Sequence, residues 1–245
     1  MATATQDAAR SGGHTALTFR ERMAGPFAMG ATTPEEGASE GRSTGWELVL
    51  HALVTVDDTH AFTTPPRRPA RLSGEVELPG VRHRVPFTDG VFQLFPGQRV
   101  AGNGGLDAAD GDGGSPLMVY ELTFHHRGSP YHLTGRKTAS TRPAAIAPLW
   151  VWEDTTTLAV RLHRGTGPDG EVVGAGVLRL TPAQVARLLA SVRTPWSGGL
   201  LDTGQALGSY ALLFAQGLAR TYLGRAAEPG GDTGPARGPG EGGAP

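Results

Sequence analysis

The sequence predicts a mainly β fold, an antiparallel β-barrel or sandwich with C-terminal helices, a lipocalin-like barrel being one such arrangement. Three observations predict it. Apolar residues alternate with period two in many short segments. Turn pairs such as Pro79-Gly80 and Pro96-Gly97 separate those segments at close spacing. A strong helix-start signal, Thr181-Pro182-Ala183-Gln184, comes late in the chain.

In chain order, the segment from Ala16 to Met29 reads as a short strand entering a turn at Gly25-Pro26. From Trp46 to Val56, the residues Trp46, Leu48, Leu50, Ala52, Val54 and Val56 share one face, so a strand is expected. Arg71 to Leu78 repeats the pattern, with Leu72, Gly74, Val76 and Leu78 inward. Arg82 to Phe87 and Gly90 to Phe95 read as two further strands, and Gly97 to Pro116 as a flexible inserted loop. Met118, Tyr120, Leu122 and Phe124 alternate and, through the turn His126 to Pro130, pair with Tyr131, Leu133 and Gly135 in a hairpin. Thr155 to His163 and Glu171 to Leu180 form a second hairpin around a Gly-rich loop. The total is eight or nine strands. Helices are expected near residues 181–193, with Val185, Leu188, Leu189 and Val192 on one face, and near residues 203–223.

These elements make one β-rich domain over residues 14–225. The head, residues 1–13, and the Gly/Pro-rich tail, residues 226–245, are too poor in apolar residues to offset their ordering entropy and are expected to be disordered. The net charge of −1 supplies no field for nucleic acid or an anionic membrane. The chain has no cysteine, which excludes disulfides, thiolate zinc sites and a cysteine nucleophile. No secretory signal or run of apolar residues long enough to span a bilayer is visible, so no membrane span and a cytoplasmic location are expected. Lys137 is the only lysine beside 21 arginines. Either one lysine codon escaped a GC-rich coding background, or a compact ammonium is kept where a planar guanidinium does not fit.

Most motifs have structural readings. Gly165-Thr166-Gly167-Pro168-Asp169-Gly170 has the letters of a dinucleotide loop but runs into a strand, so it reads as a hairpin loop. Asp107, Asp110 and Asp112 lack the spacing of a calcium loop. His51, His83, His125, His126 and His132 lie on or beside strands with no spacing that imposes a metal site, so no metal and no cofactor are expected. Asp154-Thr155-Thr156-Thr157-Leu158 reads as strand with a structural role for its threonines; the functional alternative has Asp154 and Thr156, on one face, lining a pocket with Lys137 as counter-ion.

Several strings together resemble a known family. Phe19-Arg20-Glu21-Arg22-Met23-Ala24-Gly25, Gly74 with Gly90-Val91-Phe92-Gln93-Leu94-Phe95, Met118-Val119-Tyr120-Glu121-Leu122 and Leu133-Thr134-Gly135-Arg136-Lys137 occur in this order. Asp154 to Leu158 and Ala175 to Leu180 complete the series. The series resembles the accessory domain found in bacterial cholesterol-oxidase-like GMC oxidoreductases, here without a flavin domain. The resemblance implies a lipid or sterol context and a separate oxidoreductase chain as partner. It transfers no catalytic residue and no FAD site.

The leading reading is a non-catalytic accessory or binding module that holds an apolar small molecule, a sterol or fatty acid, in the barrel. Its candidate ligand-binding residues are Lys137, Asp154, Thr156, His132, Tyr120 and Trp46; Phe92, Phe95, Phe124 and Tyr131 are further candidates for a cavity lining or a filled core. Two alternatives are a protein-interaction module using the helix over residues 203–223, and an enzyme with Asp154, His132 and Lys137 as its acid, base or charge stabiliser.

Overall fold

The structure, a computed structural model, describes residues 16–63, 69–96, 116–139 and 147–193. The helix expected over residues 203–223, both tails and the three aspartates of the Gly-rich loop lie outside the described residues.

Period-two patterning builds eight antiparallel strands: β1 (Leu17–Met29), β2 (Glu47–Val56), β3 (Ala70–Glu77), β4 (Val85–Leu94), β5 (Pro116–His126), β6 (Ser129–Thr138), β7 (Thr157–Arg164) and β8 (Val172–Arg179). Each pairs with its sequence neighbour, and β8 returns to β1, so the sheet closes into an up-and-down barrel with no free edge. Inward residues form one core, from Leu17, Phe19 and Met23 on β1 round to Leu158, Val160 and Leu162 on β7 and Leu178 on β8. The β5–β6 hairpin is tight: Arg127 and Gly128, both with positive φ, join His126 to Ser129.

Four readings of the sequence are corrected. First, β1 runs straight through Gly25-Pro26. Pro26 occupies the last pair of the β1–β2 ladder, opposite Glu47, and the β1–β8 ladder resumes just past it at Phe27↔Gly176. Second, the two strands expected between Arg82 and Phe95 are one. The ladder jumps from Leu72↔Gly90 to Gly74↔Phe87, so extra residues of β4 face Ser73. The bulge flips the inward phase from Val85 and Phe87 to Phe92 and Leu94, which from sequence looks like a strand break.

Third, Asp154, Thr155 and Thr156 are helical. They end α3 (Ala147–Thr156), where the Thr155 and Thr156 hydroxyls donate back to the Trp152 carbonyl at 3.2 and 2.6 Å. Strand β7 starts only at Thr157. Fourth, Trp46 is off the inward face and 44% exposed, because Gly45, at φ 71°, ends a helix and redirects the chain just before β2.

That helix, α1 (Pro34–Thr44), follows an N-cap at Thr33 and buries Gly37, Ala38 and Gly41 against β1 and β8. A short α2 (Thr59–Thr63) follows β2. The last described helix, α4 (Pro182–Ser191), has the expected capping box: the Thr181 hydroxyl accepts from the Gln184 N–H, and the Gln184 side-chain Oε1 accepts from the Thr181 N–H at 2.7 Å. Val192 is buried and Val185 and Leu188 pack on the core, but Leu189 stays exposed. No helix among the described residues is long and apolar enough to cross a membrane.

Candidate functional site

Strand β1 carries opposite chemistries on alternate residues: Arg20 and Arg22 point outward and Glu21 inward. Inside the barrel the Glu21 carboxylate accepts from the Tyr120 hydroxyl at 2.8 Å and from Lys137 Nζ at 3.1 Å. Both members of the ion pair have side chains only 2% exposed. The ammonium lies 5.4 Å from the centre of the Tyr120 ring, within cation–π range. Lys137 and Tyr120, both expected from sequence, are thus brought together. Glu21 is the residue that sequence reasoning missed. The alternation Phe19, Glu21, Met23 places it inward and was the available signal.

In an eight-strand ring β5 stands opposite β1, so the Tyr120–Glu21 hydrogen bond crosses the barrel axis. Phe92 packs beside it, 4.9 Å from the Tyr120 ring and 6.2 Å from the Phe19 ring, centre to centre. Side chains therefore fill the interior at this level.

The other expected residues are elsewhere. Asp154 is half-buried on α3 with interactions of its own, and the carboxylate that meets Lys137 is Glu21. Thr156 is buried, its hydroxyl occupied by the helix carbonyl of Trp152. Trp46 stands at the surface. His132 lies on the outer wall, opposite His163 in the β6–β7 ladder. Its Nδ1 meets the Thr123 hydroxyl at 3.0 Å, and among the described residues its buried Nε2 has no partner. Among the described residues, no three His, Cys, Asp or Glu side chains gather into a metal site.

Burial holds His132 below the ordinary histidine value; Glu121 pulls it upward and His163 pushes it further down. The unfolded chain then binds the proton more readily than the folded one. Stability from the neutral ring is complete above about pH 6.5 and is lost as pH falls through the depressed folded value. Urea midpoints are expected to drop between about pH 7.5 and about pH 5, and His132→Gln to flatten that slope. An unchanged slope in the variant would assign the titration to another group.

The outward side of the same strand lines a cleft. Helix α4 lies over β1, held by the Ser191 hydroxyl, which accepts from the Arg20 N–H at 2.8 Å, and by a Thr18–Arg193 backbone bridge at 2.9 Å. Between α4 and the wall of β1, β2 and β3 is an open cleft of about 580 Å³. The ladder registers lay its floor in rows, Arg20 beside Leu53 beside Ser73, and Arg22 beside His51 beside Glu75. The helix adds Gln184, Arg187, Leu188 and Ser191, spaced on a single face. His51 is held by Glu77 at 2.7 Å, and hydrogen bonds from His51 and Arg84 keep the Glu77 carboxyl below its usual range. Glu75 meets Arg84 at 3.3 Å.

Compared with known proteins, the chain matches no family model, no curated protein and no solved structure.

Proposed function

We propose that the chain is a non-catalytic binding module that seats an apolar or amphipathic small molecule in the cleft between α4 and strands β1 to β3. The cleft itself carries this reading. Its volume of about 580 Å³ suits a small ligand, since such sites span about 300–1,000 Å³. Leu53 and Leu188 supply apolar floor and wall, and a closed barrel supplies a rigid frame. The one lysine supports binding over chemistry, because its ammonium is sealed in an ion pair out of reach of a substrate. The resemblance to the oxidoreductase accessory domain suggests the ligand class, a sterol or fatty acid, and a separate oxidoreductase chain to receive it.

Native mass spectrometry of the full chain with a panel of sterols and fatty acids tests the reading. One ligand per chain is expected, and Leu53→Trp, which fills the floor, is expected to abolish the complex with an unchanged circular dichroism spectrum. A chain that ignores the whole panel, or a Leu53→Trp variant that still holds its ligand, would overturn the assignment.

A further inference from the structure

Three guanidinium groups line one side of the cleft, and no carboxylate among the described residues meets them. Arg20 and Arg22 stand on the outer face of β1, two residues apart, and Arg187 reaches in from α4. Successive outward positions on a strand are about 7 Å apart, so the two strand arginines flank one spot on the floor. The lining groups that would offset them are engaged elsewhere. Glu75 pairs with Arg84, and Glu21 turns inward to Lys137 and Tyr120. Among the described residues, Arg20, Arg22 and Arg187 have no ion pair, and Arg20 reaches α4 only through its backbone. The cleft is therefore cationic at one side and apolar at Leu53 and Leu188.

From this pairing of charge and apolar surface we infer that the cleft's ligand is an amphipathic carboxylate, a fatty-acid anion, with its head on Arg20, Arg22 and Arg187 and its chain along Leu53 and Leu188. The inference rests on the cleft being the binding site and adds the identity of the ligand's head group. Guanidinium forks match a carboxylate in two parallel hydrogen bonds, which a neutral hydroxyl cannot accept with comparable strength. Three arginines around one head group also make binding salt-sensitive, because this open cleft is screened by ions. Sterols, which carry a neutral hydroxyl, would use the apolar floor alone.

The experiment compares laurate with lauryl alcohol, both below the concentration at which they self-associate, by titration calorimetry on the full chain. The same measurements are made on Arg20→Gln/Arg22→Gln/Arg187→Gln, three exposed positions whose replacement leaves the core intact. Laurate is expected to bind at least ~10-fold more tightly than the alcohol, about 1.4 kcal/mol. The triple variant is expected to bring the two ligands to similar affinity. Laurate affinity in the native chain is expected to fall with added salt while the alcohol's holds. Equal binding of the two ligands in the native chain, still lost in Leu53→Trp, would overturn the carboxylate and leave the cleft as the site. So would a sterol that binds there while laurate does not. Laurate binding unchanged in the triple variant would overturn the arginine site. Binding to phosphatidylglycerol vesicles with no binding of free laurate would overturn it in favour of a membrane-surface patch. A chain that binds neither laurate, the alcohol nor any sterol would overturn the cleft reading itself.

Discussion

Glu21→Leu alone is expected to destabilise the barrel by about 3–5 kcal/mol, the cost of breaking a buried ion pair from one side. The variant leaves the Lys137 ammonium in an apolar interior without a counter-charge and the Tyr120 hydroxyl without its carboxylate acceptor. Leucine fills much of the volume, so electrostatics and not a cavity dominate the loss. The double variant Glu21→Leu/Lys137→Met removes both charges while keeping similar bulk. It is expected to recover most of the loss, because a well-packed hydrophobic replacement of such a pair is often neutral or stabilising. Urea unfolding of the native chain, both single variants and the double variant measures the coupling. A double variant as unstable as Glu21→Leu would show that the pair is not what sets the cost.

Gly37→Ala is expected to cost about 3 kcal/mol or more, through a different mechanism. A Cβ at Gly37 would lie 1.9 Å from the Ala175 carbonyl oxygen and 2.4 Å from its carbon. These are backbone atoms of β8, which the barrel ladders hold in place, so α1 must move away. Forced overpacking costs about 1–3 kcal/mol even where side chains can yield, and here none can. Lifting α1 would also uncover the small cluster of Ala28, Ala31 and Ala175. Gly167→Ala is the control, because a Cβ there meets nothing within 4 Å. It is expected to stay within about 0.5 kcal/mol of the native chain. Thermal melts of the two variants separate the effects; equal melts would place α1 off the seam.

The barrel was readable wherever one side chain in two decides its face. Met118, Tyr120, Leu122 and Phe124 are buried as their alternation requires, and the capping box at Thr181 predicted α4. Helix α1 was hidden because its buried face is Gly37, Ala38 and Gly41, residues that signal close approach rather than burial. The bulge in β4 hid a single strand behind a change of phase. Threonines 155 and 156 misled because their β preference yields to hydroxyls that bond back into a helix end. At the site, Lys137 stood out as a lone lysine, but the arginine cleft did not. It is assembled from β1, β2, β3 and α4, and no linear spacing announces that α4 folds back over β1.

The order in which the barrel is built also has a consequence during synthesis. Every strand pairs with the one made just before it except β1, whose second neighbour, β8, is the last strand of the ring. A growing chain can zip hairpin after hairpin as it leaves the ribosome. Glu21, however, emerges 116 residues before the lysine that neutralises it. Until β5 and β6 have been made, the acid has neither Tyr120 nor Lys137 to pair with, and burying it costs free energy. Sealing the barrel is thus a late, long-range step, slow by the measure of the local pairings that precede it.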